Sequence, residues 1–195
     1  MDTRENIERI ANEMLRIDRR DALAEYLAEE LLKFSMYDLQ MIGARARHDI
    51  EILPKNYRDK LRPYAEEWFF GRYHALITKY RDGDFSGYSA PIHDIDTYRH
   101  FCMIIPEGCF KSEIDLPSFI PERKNPSYSL FYYLLMAYAM FVLEEPGHPA
   151  GTPFPGGAVV RKTAGKYYCP IRDKEEEIFN SICNFCPALQ DPDYL

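Results

Sequence analysis

The sequence predicts a mainly α-helical fold: a multi-helix, bundle-like body over residues 1–145, then a small C-terminal module over residues 146–195. Three observations predict it. Apolar residues recur at helical spacing in successive windows from Ile7 to Leu143. The run PGHPAGTPFPGG at 146–157 holds four prolines and four glycines in twelve residues, so no regular element crosses it. Three of the five cysteines, Cys169, Cys183 and Cys186, fall in the last stretch of chain.

The elements follow in order. Ile7, Ile10, Met14 and Ile17 form the apolar stripe of a first helix. A second starts near Asp18 or Arg20 and carries Leu23, Tyr26, Leu27, Leu31 and Phe34. Ser35 is a candidate N-cap for a third helix that runs to about Ile52 through Leu39, Ile42, Ala46 and Ile50. Pro54 breaks the chain. From Tyr57 to Tyr80 one long helix is expected, with Leu61, Tyr64, Trp68, Tyr73, Leu76 and Ile77 on its apolar side and Pro63 in its first turns. Residues 81–91 have loop composition. Residues 94–104 read as a short helix, and 106–126, rich in proline, as an irregular and mobile segment. Asn125-Pro126-Ser127 introduces the most apolar helix, Ser129–Leu143.

In the module, residues 158–170 read as a β-hairpin. Val159, Val160, Tyr167 and Tyr168 are strand formers, and Thr163-Ala164-Gly165 is the turn. Residues 173–190 are expected to form a short helix with an acidic first turn.

Bulk properties exclude several classes. The chain has 195 residues, enough to bury a core of its own, and carries a net charge of −7. That balance argues against nucleic-acid and anionic-membrane partners, which need a basic face. The fifteen apolar residues Ser129–Leu143 would reach about 22 Å as a helix, short of the roughly 30 Å hydrocarbon core. MDTRENIERI has no apolar stretch of a secretory signal. A cytoplasmic protein is expected, with a protein partner or a homo-oligomer rather than nucleic acid or membrane. In a reducing compartment clustered cysteines point to metal ligation or redox chemistry more than to disulfides.

Cys183 and Cys186 have the Cys-x-x-Cys spacing that sets two sulfurs on one ion. Cys169, at the end of the hairpin, can return to them. His148, in the Pro/Gly loop, is the first choice for a fourth ligand, followed by Cys109 and then Cys102. Zinc is the expected metal, with an iron–sulfur cluster as the alternative. A metal would supply folding energy to a segment with few large apolar groups. The competing readings are buried apolar cysteines and a dithiol redox pair.

Other constellations are weaker. His93, Asp96 and His100 stand at i, i+3 and i+7, one face of a helix, where a plain polar surface is the blander reading. GTPFPGG lacks the Lys-Ser/Thr ending and the preceding strand of a phosphate loop. There is no GxSxG and no HExxH.

The stretches SMYDLQMI, LPKNYRDKLRPYAEEWFFGR, FVLEEPGHPAGTPFPGG, YYCP and CNFCPALQ together resemble an archaeal family, mainly of methanogens, known as domain of unknown function 2115. The resemblance implies an anaerobic archaeal cytoplasm, where iron–sulfur chemistry is common, and no particular activity. It places His148 inside the family's pattern and Cys102 and Cys109 outside it. The expected function is an accessory or protein-interaction protein carrying structural zinc; the alternative is an iron–sulfur or zinc-dependent enzyme or redox protein using the same cysteines. A cleft that sets His93, Asp96 and His100 near the thiols favours the alternative.

Overall fold

The computed structural model describes residues 3–110 and 125–194. The body is helical throughout. α1 (Thr3–Met14) buries Ile7, Ile10, Ala11 and Met14 and ends before Ile17, the last residue of the expected stripe, which is half-buried. α2 (Arg20–Leu32) buries Leu23, Ala24, Leu27, Ala28 and Leu31. The two are tied by Arg9, whose Nη2 lies 3.1 Å from the buried Glu30 carboxylate. α3 (Met36–Glu51) starts at Ser35 in a capping box: the Ser35 hydroxyl accepts from the Asp38 amide, and the Asp38 carboxylate accepts from the Ser35 amide.

α4 (Lys55–Glu66) runs through a five-residue π turn, Glu67–Gly71, into α5 (Arg72–Asp82). This is the long helix read from the sequence, with Pro63 inside α4. It stops at Gly83, whose φ of +65° is open to glycine at no steric cost. α6 (Ile95–Phe110) is longer than expected and passes straight through Pro106. The lost amide bond at Pro106 is outweighed by packing, because Tyr98, Phe101, Cys102, Ile105 and Cys109 are all fully buried along this helix. The irregular segment expected over 106–126 is therefore helix as far as Phe110, and its stretch 111–124 lies outside the described residues.

α7 (Pro126–Ala137) is capped by the Asn125 side chain and continues into a second π turn, Tyr138–Val142. Nearly every side chain from Leu130 to Val142 is buried, so α7 is the central helix, apolar on all sides. α6 and the second π turn pack against it and against α1 and α2. No described helix is long and apolar enough to cross a membrane.

The C-terminal segment carries a three-stranded sheet. β1 (Arg161–Thr163) and β2 (Lys166–Cys169) form the expected antiparallel hairpin. Ala164 (φ +50°) and Gly165 (φ +80°) make its two-residue turn. β3 (Leu189–Gln190) pairs parallel to β2, with Cys169 opposite Gln190. The helix expected over 173–190 does not form. Two short 3-10 turns, Asp173–Glu175 and Ile182–Phe185, stand there instead. Its apolar positions divide between two destinations: Ile182 and Phe185 enter the main core, while Ile178 and Phe179 stay 43% and 40% exposed. One straight helix cannot serve both.

Candidate functional site

The β2–β3 pairing assembles the site. It aligns Cys169 with Gln190, four residues beyond Cys186. Gln190 then clamps the turn after Cys169: its carbonyl oxygen accepts from the Asp173 amide at 3.0 Å, and its Nε2 donates to the Pro170 carbonyl at 3.3 Å. The Asp191 amide donates to the Cys169 carbonyl at 2.9 Å. Cys169, Cys183 and Cys186 thus come from two separate stretches into one neighbourhood, where the Cys186 group helps to raise the thiols of Cys169 and Cys183.

Their surroundings pull in two directions. Burial pushes the Cys169 thiol up, while the main-chain amides of Ile171 and Arg172 donate to its sulfur. Burial likewise pushes Cys186 up, opposed by amides of Ala188 and Gly147 and by the charges of Arg172 and Arg72. Cys183 is pushed up to about 11 by burial, against a hydrogen bond from Ser181. As protonated thiols these are unreactive at neutral pH. Amides aimed at sulfur favour the thiolate.

Among the described residues, no three His, Cys, Asp or Glu side chains stand close enough together to share one metal ion. His148 is half-buried against aromatic rings. Its ring is engaged edge-on by Trp68 at 4.6 Å and by Phe154 at 5.5 Å. Burial, with the nearby charge of Arg72, lowers its pKa to about 4, so the imidazole is neutral. Cys102 and Cys109 belong to the main core, whereas Cys169 belongs to a separate small cluster with Val160 and Ala188. Burial pushes the Cys102 thiol up to about 12.

The loop that carries His148 is held from the body by two arginines. Arg72, 6% exposed, donates to the Gly147 carbonyl at 2.7 Å and the Pro146 carbonyl at 2.8 Å. Arg20 donates to the Val142 carbonyl at 2.8 Å and pairs with Glu144 at 3.3 Å. Glu144 is left-handed, φ +57°, a conformation that side-chain-bearing residues rarely adopt. Both π turns border this loop. Arg72 follows the first π turn directly, and a π turn carries no periodicity signal by which its burial could be read from sequence.

Beside the thiols lies a cleft of about 390 Å3. Cys186, Arg172, Asn184, His93, Asp94 and Glu144 are among its lining residues. A second cleft, about 270 Å3, adjoins it through Thr97, Asn184 and Phe185 and includes His100. The helical face expected for His93, Asp96 and His100 does not exist as such. α6 starts only at Ile95, because Asp94 caps it by accepting from the Thr97 amide at 3.0 Å. His93 is therefore in the preceding loop. His93 and His100 line neighbouring clefts, and Asp96 is exposed and lines neither.

Fold and site define a mainly helical protein with a small cysteine-bearing β module at its C-terminal end. The chain belongs to the archaeal family DUF2115, described as an uncharacterized protein conserved in archaea, whose profile matches residues 19–191. It is 36% identical over 140 residues to a UPF0305 protein of Methanopyrus kandleri, covering 72% of this chain and 88% of that protein. A UPF0305 protein of Methanocaldococcus jannaschii is 25% identical over 164 residues, 84% of this chain and 92% of the other. One from Methanococcus maripaludis is 27% identical over 161 residues, 82% and 90% of the two chains. No solved structure matches.

Proposed function

We propose that the protein is an accessory, protein-interacting component that binds one zinc ion through Cys169, Cys183 and Cys186. The observation that supports it is the parallel β2–β3 pairing, which sets Cys169 opposite Gln190, four residues beyond Cys186, so that two stretches of chain bring the three cysteines into one neighbourhood. Three soft donors suit zinc or iron and not magnesium or calcium. An all-cysteine iron–sulfur cluster needs four thiolates, and the other two cysteines sit in the body's core. That favours zinc. With its ring held by two aromatics, His148 is proposed to pack beside the sulfurs rather than ligate.

The zinc would join β2, whose apolar cluster is small, to the Ile182–Phe185 turn, which is docked on the main core. An interaction role is supported by the corner between α2 and α3, where Leu32, Met36, Tyr37 and Met41 are 41%, 72%, 68% and 49% exposed. A protein partner or a second copy of the chain would cover it.

The test is metal content by mass spectrometry on protein purified without oxygen, for the wild type and Cys183→Ser. One zinc per chain, lost in the variant, is expected. Wild-type protein that takes up no zinc on dialysis against it overturns the proposal; a reversible Cys183–Cys186 disulfide in its place supports a dithiol redox role.

A further inference from the structure

Of the sixteen residues of α3, only Ile42 and Gly43 are buried. Its inner side, with Leu39 and Ala46, rests on the main core, and Gly43 lies against the Phe70 ring. A helix held on one side alone is expected to be polar on the other. The outer side of α3 is not. Tyr37, Met41, Ala44 and His48 are all exposed, at steps of four, three and four residues, which is the spacing of a helix–helix seam. Leu32 precedes this seam and Ile52, 59% exposed, follows it. At about 200 Å2 for a large side chain, the exposed fractions of Leu32, Met36, Tyr37, Met41 and Ile52 leave roughly 600 Å2 open, most of the about 800 Å2 that each partner gives to a standard interface.

We propose that the outer side of α3 pairs with the same side of α3 in a second copy of the chain, antiparallel, across a two-fold axis. This deepens the interaction half of the proposed function and rests on that reading, but it needs no zinc. The seam is self-complementary. Positions 37, 41, 44 and 48 are symmetric about their midpoint, so reversal sets Tyr37 on His48 and Met41 on Ala44. In each layer a larger side chain meets a smaller one, and Ala44 leaves room for Met41. The flanks match as well. By helical rotation Asp38 and Arg45 border the seam on one side, Gln40 and Arg47 on the other. Reversal sets Asp38 beside Arg45 of the second copy and Gln40 beside Arg47 of the second copy, with no like charges opposed. The capping box engages Oδ2 of Asp38, and Arg45 holds Asp49 through Nε. Oδ1 of Asp38 and the Nη groups of Arg45 are the atoms that would meet. Reversal also runs the two helix dipoles in opposite directions, which a parallel pairing does not. At the ends it carries Ile52 toward Leu32 of the second copy, so both exposed apolar groups are covered. One surface thus serves both partners, as a two-fold interface requires.

The test is sedimentation equilibrium of the full chain from about 1 to 100 µM, where a dimer with a micromolar dissociation constant is expected. Met41→Lys should weaken it about a hundredfold, because two charges enter the seam. Helix content by circular dichroism should stay as in the wild type, since Met41 is exposed in the single chain. Gln40 reads the direction of pairing. Gln40→Glu should tighten the dimer about fivefold and Gln40→Lys weaken it about fivefold, because each dimer holds two contacts of this residue with Arg47. Residues 40 and 47 are two turns apart and cannot pair within one helix. The net charge of −7 would by itself make an added glutamate repel, so the sign is diagnostic. A wild type that is monomeric at about 100 µM overturns the proposal whatever the variants do, and so does a dimer that Met41→Lys leaves intact. Gln40 variants of equal affinity, or in the reverse order, overturn the antiparallel pairing. Zinc content of the same samples separates the two readings: a monomer with one zinc loses only the dimer, and a dimer without zinc loses only the metal.

Discussion

The helical body and the C-terminal module are stabilised by different forces. In the body, Met14, Leu23, Leu27, Leu31, Phe101, Leu134 and Val142 are wholly shielded from water, and every described element is a helix or a short turn. In the module the strands are three, four and two residues long, and the separate apolar cluster has only Val160, Cys169 and Ala188 as buried members. What orders the module is polar: Arg161 on Asp191 and Asp193, Gln190 on the turn after Cys169, and Arg72 on the Pro146 and Gly147 carbonyls. Its large apolar groups, Ile182 and Phe185, are lent to the body's core. Apolar burial scales with area, and a short segment cannot enclose enough of it. The body can therefore stand on packing, whereas the module depends on fixed hydrogen bonds, on docking and, as proposed, on a metal.

Substitutions can break this comparison. Phe101→Ala should have the largest effect. Phe101 is fully buried and meets the rings of Tyr133, Phe141 and Phe185 at 5.9, 5.2 and 5.5 Å. A loss of about 3–5 kcal/mol in denaturant unfolding is expected, in a single transition because Phe185 goes with it. A shift below about 1 kcal/mol would sink the packing account of the body.

Zinc should act on the module next most strongly. At a free concentration a hundredfold above its dissociation constant, zinc should stabilise the wild type by about 2.7 kcal/mol. Thermal unfolding of Cys183→Ser should be insensitive to zinc. Equal responses of the two proteins would detach the cysteines from the metal.

Gly108→Ala probes the junction. A Cβ at Gly108 would collide with the Tyr133 hydroxyl, which donates to the Asn180 carbonyl of the module at 2.8 Å. About 2 kcal/mol of destabilisation is expected, with hydrogen exchange rising around 178–186. Exchange that rises only in α6 would separate the two regions.

Asp191→Ala should cost about 1–2 kcal/mol. It removes a carboxylate with no exposed surface that pairs with Arg161 and accepts from the Asp193 amide at 3.1 Å. Protease cleavage should become faster near 161–170 and stay unchanged in α1 and α2. Ser35→Ala is the smallest, about 1 kcal/mol, because only the capping box of α3 is lost. An effect on the module would show the two regions more coupled than their contacts imply.

The sequence by itself determined the elements whose signals are local. The stripe from Ile7 to Met14, the Ser35 cap, the long helix after Pro54, the all-apolar helix before Val142 and the hairpin at Ala164-Gly165 are each written within a few residues, as periodicity, a side-chain acceptor or a permitted φ. Three nearby cysteines could be suspected from spacing. Only the tertiary structure decided the rest. It carried α6 through Pro106, because buried neighbours outweigh one missing amide bond. It turned the 173–190 stretch into two turns and a strand, because Ile182 and Phe185 join the main core while Ile178 and Phe179 stay at the surface. It set His148 between Trp68 and Phe154 and gave Cys186 the cleft shared with Arg172 and His93. These outcomes depend on partners far along the chain, and one strand's own residues cannot reveal which distant surface is free to receive them.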